Sequence, residues 1–142
     1  MKVINSFVDS YGFLSNFFPT PAFYDGINYP SVEHAYMAAK TLDVKERESI
    51  WLCVTPGQAK RLGQKVTLRS DWDLVKVPIM HQIVINKFMQ NDKIRKELFH
   101  TGDKQLEEGN TWGDTFWGVC DGVGENHLGA ILMNVREELR LI

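Results

Sequence analysis

The stretch YPSVEHAYMAAK, residues 29–40, contains the start and most of the length of one helix. Ser31 is a favoured N-cap residue, because a serine hydroxyl can accept a hydrogen bond from an unpaired backbone N–H of the first turn. From Ser31 we predict a helix that runs to about Leu42. Its apolar residues recur with helical spacing and form one core-facing stripe, made of Val32, Ala35, Tyr36 and Ala39.

The same helix carries an acid and an amine that point to one side. Glu33, Met37 and Lys40 stand at positions i, i+4 and i+7, so they share a face of the helix. With a rise of about 1.5 Å per residue, the two charged groups are separated by roughly 10 Å along the helix axis. That gap suits a ligand lying between them better than a direct salt bridge. The spacing alone nevertheless favours two solvated charges on an exposed face.

Shorter elements are predicted on both sides of this helix. Residues 2–8 and 12–18 have the composition of short strands or extended segments, and a loop punctuated by prolines and a glycine follows up to residue 30. On the other side, Asp43 with Glu46 predicts a second helix to about Val54. Thr55, Pro56 and Gln58 then have the pattern of a cap, an N1 proline and an N3 glutamine, which opens a third helix ending near Gly63.

The second half of the chain alternates helices with a turn-rich segment. The predicted elements are a helix over 73–90 that Pro78 either kinks or truly starts, a helix that Asp92 caps and that runs to about Phe99, strands near 104–107 and 116–120, and a last helix over 127–140. These elements predict an α+β fold. We expect residues 1–142 to form a single compact domain that is mainly helical, with a small β-sheet.

The composition is that of an ordinary soluble globular domain. The chain has 142 residues, of which 44% are apolar and 24% charged, and its net charge is -2. A polybasic nucleic-acid binder and an acidic tail protein are therefore disfavoured. Two cysteines form neither a disulfide framework nor a metal-binding pair, and no apolar run is long enough for a signal peptide or a membrane helix. We expect a cytoplasmic protein with no membrane contact.

Charge is distributed unevenly along the chain. Residues 40–96 carry twelve basic and six acidic residues, whereas residues 97–138 carry nine acidic and two basic residues. Solvated helix faces account for much of this difference. The remaining basic excess favours a wall of cations that could meet phosphate groups.

Aromatic residues are concentrated in a glycine-rich segment, GNTWGDTFWG, residues 109–118. Its glycines allow close approach of the backbone to a ligand, and Trp112 and Trp117 offer flat stacking faces. Asn110 and Asp114 could orient a ribose or a base. A tight aromatic turn that closes the bottom of a core explains the same pattern equally well. Asn16, in FLSNFF, is a further candidate, because asparagine is poor in strands and its amide needs polar partners.

Several well-known chemical signatures are absent from the sequence. No phosphate-binding glycine loop, dinucleotide-binding fingerprint, deaminase zinc motif or nucleophile elbow occurs. The four histidines show no metal-ligand spacing, and His34 faces about 100° away from Glu33 on the helix. We therefore expect neither a metal nor a cofactor.

Taken in order, the motifs resemble those of the NADAR family, also called YbiA-like. The resemblance covers about residue 4 to residue 139 and rests on FLSNFF (13–18), YPSVEHAYMAAK (29–40), PGQAKRLG (56–63), LRSDW (68–72), NKFMQN (86–91), LEEGNTWGDTFWG (106–118) and NHLGAILMNVREEL (126–139). Two positions depart from the family pattern. Met37 stands where the family often has glutamine, and Pro78 interrupts the long helix.

The resemblance implies an N-glycosidase that acts on ribosylated or ADP-ribosylated nucleobases. The favoured reaction removes ADP-ribose from guanine, in a nucleotide or in nucleic acid. Two alternatives remain: cleavage of a ribosylamino-pyrimidine phosphate of the riboflavin pathway, and a non-catalytic module that holds ADP-ribose or NAD. A purely structural domain is a further, weaker reading. No stable protein partner is implied.

The resemblance also assigns roles to residues. Glu33 is expected to stabilise the sugar cation or to protonate the leaving base. Lys40, or alternatively Lys60, is expected to attack C1′ as an amine nucleophile. The remaining candidate contacts are Asp114 in the catalytic group, and Asn16, Phe17, His34, Arg61, Arg69, Trp72, Asn110, Trp112, Gly113 and Trp117 for the substrate. Lys60, Arg61, Lys65 and Arg69 are the cations expected to pair with a diphosphate.

Overall fold

The computed structural model describes residues 2–142, and it confirms an α+β fold that is mainly helical. The contacts divide the chain into two compact units. One is Asn16–Gln90, and the other joins the N-terminal segment up to Ser15 with Asn91–Ile142. In the part of the chain that is described, three separate two-stranded sheets take the place of the single small sheet we expected.

The Asn16–Gln90 unit contains one hairpin and four helices. They are β2 (Ala22–Tyr24), β3 (Ile27–Tyr29), α1 (Val32–Ala39), α2 (Val44–Trp51), α3 (Pro56–Gly63) and α4 (Trp72–Gln90). Helix α1 packs against α2, α3 and α4, and its own eight residues are all buried. This helix is therefore the centre of the unit.

The expected loop before α1 contains the hairpin of β2 and β3. The strands pair antiparallel, with Ala22 opposite Tyr29 and Tyr24 opposite Ile27. The two turn residues, Asp25 and Gly26, have φ values of +47° and +86°. Positive φ at both central residues is what a tight two-residue hairpin requires, and Asp-Gly is a preferred sequence for it. The loop prediction was wrong here, although the Asp-Gly turn signal for a hairpin is present in the sequence.

Three of the predicted helix caps are confirmed, but the cap predicted at Asp92 is wrong, because the Asn91 side chain accepts the Ile94 N–H at 3.3 Å. The side chains of Ser31, Asp43 and Thr55 accept hydrogen bonds from the backbone N–H three residues later, at 3.1, 2.9 and 3.1 Å. The reciprocal half of the capping box at α2 does not form, because Glu46 instead accepts a hydrogen bond from the Thr41 hydroxyl at 2.6 Å. Glu46 thereby ties the start of α2 to the segment that leaves α1.

Proline 78 lies inside α4 and neither starts nor ends it. A proline cannot donate to the carbonyl four residues earlier, so the Leu74 carbonyl loses its helical partner. Pro78 and Leu74 are both exposed, and Leu74 retains 83% of its accessible surface. Water can replace the missing bond on that face, which explains how the helix continues.

The second unit contains the remaining elements. They are β1 (Val3–Ile4), a 3-10 helix (Asp9–Leu14), α5 (Asp92–His100), β4 (Gln105–Leu106), β5 (Gly109–Asn110), β6 (Val119–Cys120) and α6 (His127–Arg140). Strands β1 and β4 pair in parallel, as do β5 and β6. The strand predicted over residues 12–18 is wrong, because the 3-10 helix occupies its first half.

The close approach of α1 and α3 depends on Gly63. A Cβ added at Gly63 would lie 2.8 Å from both Cβ and Cγ of Met37. These atoms lie near the Met37 backbone and cannot swing away as a side-chain end could. We predict that Gly63→Ala lowers the free energy of unfolding by about 1–3 kcal/mol, the usual range for overpacking a core.

Gly57, also in α3, provides the matched control. A Cβ there would meet nothing closer than 3.9 Å, so Gly57→Ala should be neutral or stabilise the helix. Urea denaturation of both variants measures the difference. Equal effects of the two substitutions would contradict the proposed close contact.

Candidate active site

Helix α1 positions Glu33 in a buried environment. Glu33 is only 7% exposed. Its backbone N–H donates to the Asn16 carbonyl at 3.1 Å. Glu33 lies in the first turn of α1, where the helix dipole favours a negative charge. The expectation of a solvated carboxylate, which spacing alone favoured, is therefore wrong.

Lys40 caps the other end of the same helix and is half-buried. Burial lowers the pKa of its amine, and the nearby negative charge of Glu33 partly opposes that shift. The two residues therefore interact electrostatically across α1. A lowered pKa raises the fraction of neutral amine near neutral pH, which is the form that can attack an electrophile.

Arg69 holds the C-terminal end of α1. Its backbone N–H donates to the Lys40 carbonyl at 2.8 Å, and its guanidinium donates to the Ala39 carbonyl at 3.4 Å. The guanidinium also donates to both carboxylate oxygens of Asp71, at 2.7 and 3.2 Å. These contacts give Arg69 a role in fixing the backbone from which the Lys40 side chain projects.

Helix α3 carries the basic residues expected to meet phosphate. Lys60 is half-buried, whereas Arg61 and, just after the helix, Lys65 are exposed. Because α3 packs on α1 through Gly63 and Met37, these cations lie on the helix adjacent to that of Glu33 and Lys40.

His34 is only 1% exposed, and both of its ring nitrogens contact protein atoms. Nδ1 is 2.7 Å from the Ser31 hydroxyl, and Nε2 is 2.9 Å from the Cys53 carbonyl. The ring thereby ties the start of α1 to the segment between α2 and α3. This arrangement gives His34 a positioning role in place of the substrate contact expected from the sequence.

Two aromatic candidates of this unit differ in exposure. Trp72 is 7% exposed and its ring lies 5.1 Å from that of Tyr36, so it packs beside α1. Phe17 is 43% exposed and lies next to Asn16 in the turn that precedes β2. Of the two, Phe17 presents the more accessible ring.

A buried amine that is not among the predicted site residues lies on α4. Lys87 is 1% exposed, and burial lowers the pKa of its amine to about 7. Its Nζ lies 5.7 Å from the ring centre of Phe18 and 5.2 Å from that of Phe88. The apolar stripe of α4 includes this position, and a lysine within such a stripe was the available signal.

The glycine-rich segment of the second unit is organised by Asn110 and Asp114. The Asn110 amide donates to the Asp114 carbonyl at 2.9 Å and accepts from the Asp114 N–H at 3.0 Å. Oδ1 of Asp114 accepts from the N–H groups of Phe116 and Trp117, at 3.1 and 2.9 Å. Both side chains therefore shape the loop. The sequence had suggested these same side chains as contacts for a ribose or a base.

The loop presents its aromatic rings unequally. Trp112 is 63% exposed, next to Gly113, whose φ of +84° marks the turn. Trp117 is half-buried, and its ring stands perpendicular to that of Phe116 at 4.9 Å between centres. Trp112 is accordingly the accessible stacking face of this loop.

The described part of the chain has neither a cluster suited to a metal ion nor a helix suited to a membrane. Within residues 2–142, no group of three or more histidine, cysteine or acidic side chains is arranged to hold a metal ion. No helix among these residues has the length and apolar character needed to cross a membrane.

Comparison with known proteins places this geometry in a family. The model of the NADAR domain matches residues 5–140. An N-glycosidase of Nostoc punctiforme is 43% identical over 136 residues, which cover 92% of this chain and 86% of that protein. N-glycosidase YbiA of Escherichia coli is 38% identical over 136 residues, covering 94% of this chain and 84% of the relative.

Two further similarities concern a larger protein and a solved structure. A riboflavin biosynthesis protein of Vibrio vulnificus is 42% identical over 135 residues, and the match covers 93% of this chain but 36% of that protein. The NMR structure of the E. coli protein YbiA matches with a TM-score of 0.86 and 36% identity, over 99% of this chain and 88% of that one. The predicted fold and family are both confirmed.

The buried His34 predicts a dependence of stability on pH. Burial lowers its pKa below the ordinary value of 6.5, so the folded chain keeps the ring neutral. Below pH 6.5 the unfolded chain takes up a proton that the folded chain resists, so the free energy of unfolding falls as the pH falls. Above pH 6.5 the ring is neutral in both states and contributes no slope.

We predict that His34→Gln reduces this slope between pH 7 and pH 5.5, in urea denaturation at several pH values. The exposed His100 supplies the control, since His100→Gln should leave the slope at its wild-type value. An unchanged slope in His34→Gln would show that the pH dependence arises elsewhere.

Proposed function

The chain belongs to the NADAR domain family, and from that premise we propose that it removes ADP-ribose from guanine, in a nucleotide or in nucleic acid. The broader assignment is N-glycosidase activity, the name carried by relatives that this chain covers over most of their length. One observation carries the proposal within this chain. A buried acid, Glu33, and a half-buried amine of lowered pKa, Lys40, interact across a single helix.

The reaction breaks the bond between C1′ of the ribose and a nitrogen of the base. The bonding electrons leave with the nitrogen, so positive charge develops at C1′ and the departing base needs a proton. Glu33 has the chemistry for one of these two tasks, since its carboxylate can stabilise the cation and its acid form can protonate the base.

Lys40 is our candidate for the group that replaces the base. Its neutral amine would attack C1′ and form a C–N bond as the base leaves. The sugar ring then opens to a Schiff base, and water hydrolyses the Schiff base to free the lysine and the ribose. Lys60 on α3 is the alternative nucleophile, and Lys87 is a third amine, one that burial withholds from solvent.

The rest of the substrate is assigned by charge and shape. The cations of α3 and its C-terminal flank, Lys60, Arg61 and Lys65, favour a diphosphate. An open cleft of about 420 Å³ beside β5 has Glu107 and Asp121 in its wall, and these acids disfavour an anion there. The exposed Trp112 belongs to the other compact unit and is by itself a candidate for stacking on a flat base.

A second candidate reaction uses the same chemistry on a smaller substrate. The similarity to a riboflavin biosynthesis protein favours a ribosylamino-pyrimidine phosphate, which also contains a C1′–N bond. A module that only binds ADP-ribose or NAD is the third possibility, and it would need neither Glu33 nor a neutral lysine.

Release of the leaving group, guanosine or the aminopyrimidine, distinguishes these functions. The purified protein is incubated with ADP-ribosylated guanosine and, separately, with a ribosylamino-pyrimidine phosphate, and the products are separated by chromatography. The proposal expects guanosine and ADP-ribose from the first substrate, and at the higher rate. Base from the pyrimidine alone would assign the second reaction, and tight binding without release would assign the binding module.

Replacing Glu33 tests the acid. We predict that Glu33→Gln lowers kcat by at least about a hundredfold, because glutamine can neither carry the negative charge nor supply the proton. Glu48→Gln, on the exposed side of α2, is the control and should retain wild-type kcat. An active Glu33→Gln enzyme would remove Glu33 from the chemistry.

Borohydride reduction tests the amine. We predict that reduction during turnover links the opened sugar to Lys40, which mass spectrometry of the digested protein identifies as a mass addition on its peptide. Lys40→Ala should abolish both the adduct and base release, whereas Lys45→Ala, on the exposed surface of α2, should retain both. An adduct on Lys60 or Lys87 would reassign the nucleophile, and base release without any adduct would indicate direct attack by water.

A further inference from the structure

The C-terminal end of α1 is held by two arginines that lie on different segments of the chain. The carbonyls of Ala39 and Lys40 accept from Arg69, through its guanidinium at 3.4 Å and its backbone N–H at 2.8 Å. The next carbonyl, that of Thr41, accepts from Nε of Arg47 on α2 at 2.8 Å. Carbonyls at the end of a helix lack helical partners, so these donors hold the backbone around Lys40 in one position.

Both arginines are fixed in turn by the tip of the β2–β3 hairpin, Tyr24 and Asp25. Nη1 of Arg47 donates to the Asp25 carboxylate at 2.7 Å, and its guanidinium carbon lies 5.5 Å from the ring centre of Tyr24. The Tyr24 side chain also interacts with the guanidinium of Arg69 and stabilises its charge. The hairpin tip is therefore linked, through two cations, to the backbone on both sides of the Lys40 side chain.

The environment of Arg47 is costly for a residue that would serve stability alone. Arg47 is 8% exposed, and its Nη2 is buried without a hydrogen-bond partner. A buried donor without a partner destabilises the folded state, and well-packed apolar residues often replace buried ion pairs without loss of stability. An arginine here indicates a need for a directed hydrogen bond, which the Thr41 carbonyl receives and an apolar side chain could not supply.

We propose that Arg47, held by the hairpin tip, is a positioning residue for the amine of Lys40. This inference rests on the proposed function, which assigns Lys40 to the attack on C1′. A lysine side chain is a flexible four-carbon stem, so a fixed backbone beneath it limits the positions that its amine can reach. A misplacement of about 1 Å can cost a reaction roughly a hundredfold in rate.

The same restraint keeps the Lys40 amine in its half-buried place. Burial lowers the pKa of this amine below its ordinary value of 10.5, and the charge of Glu33 opposes that shift. If the end of α1 loosens, the amine can reach water and its pKa rises toward the ordinary value. The fraction of neutral amine near neutral pH then falls, so we expect the position and the reactivity of Lys40 to be lost together.

The test measures the amine directly, without substrate. Lys40 is acetylated with limiting acetic anhydride at a series of pH values, and its acetylated peptide is quantified by mass spectrometry against that of the exposed Lys45. In Arg47→Met, which keeps an unbranched side chain but removes every donor, the midpoint of the Lys40 profile should rise from the wild-type value toward 10.5. With substrate, kcat should fall at least about tenfold while KM stays within about twofold.

Arg136→Met is the matched control. Arg136, on α6 in the other compact unit, is 5% exposed and likewise donates to a neutral oxygen, the Thr101 hydroxyl, at 2.9 Å. Whatever its effect on Tm, this change should leave the Lys40 profile and kcat at their wild-type values. An equal change of the Lys40 profile in both variants would overturn the proposal, because a general loosening of the fold would then explain it.

Asp25→Asn is the second variant, and it decides the question if Arg47→Met does not fold. Asparagine tolerates the φ of +47° at this position, and Asn-Gly is a preferred hairpin turn, so the hairpin is retained. Loss of the charge that anchors Arg47 should shift the Lys40 profile in the same direction as Arg47→Met, by a smaller amount. An unchanged profile in the folded variants would overturn the proposal. If the profile shifts but the wild type cleaves neither substrate, the positioning role stands and the proposed function fails.

Discussion

The burial of α1 is the constraint on which the Asn16–Gln90 unit depends. All eight residues of this helix are buried, although a glutamate and a histidine are among them. Buried polar groups must find partners or remain costly. His34 meets this requirement by joining Ser31 to the Cys53 carbonyl, so the need to satisfy one ring also fixes how α1 meets the segment between α2 and α3.

The same burial gives the acid and the amine their chemistry. In water, Glu33 and Lys40 would be a permanently charged pair about two helical turns apart. In the folded unit, desolvation lowers the pKa of Lys40 and the charge of Glu33 limits that effect. The backbone under Lys40 is fixed in turn by Arg69, which donates to the last two carbonyls of the helix. One buried helix thus supplies both the scaffold and the two groups that we propose as reactive.

The features that could be predicted from sequence were local ones. Ser31, Asp43 and Thr55 cap helices because a cap needs only its own backbone, and the helix over 127–140 follows from its apolar stripe. The environments of Glu33 and Lys87 could not be predicted in this way. Helical periodicity assumes one face in water, and α1 and the buried part of α4 violate that assumption through packing that residue spacing does not encode.

The loop around Trp112 shows a second reason why the roles of site residues could not be predicted from the sequence. Residue types there pointed to ligand binding, yet Asn110 and Asp114 use their side chains to bond each other and the backbone of Phe116 and Trp117. An asparagine or aspartate can serve a turn or a ligand with the same atoms, so composition cannot separate the two roles.

Met37 bears on how the family site is adapted in this chain. Its side chain fills the space left by the missing Cβ of Gly63. A thioether needs no hydrogen bonds in that contact, whereas a buried amide would need several. Met37 therefore makes the junction of α1 with α3 apolar between Glu33 and Lys40. Any polar contact with a ligand near Glu33 must come from groups outside that junction.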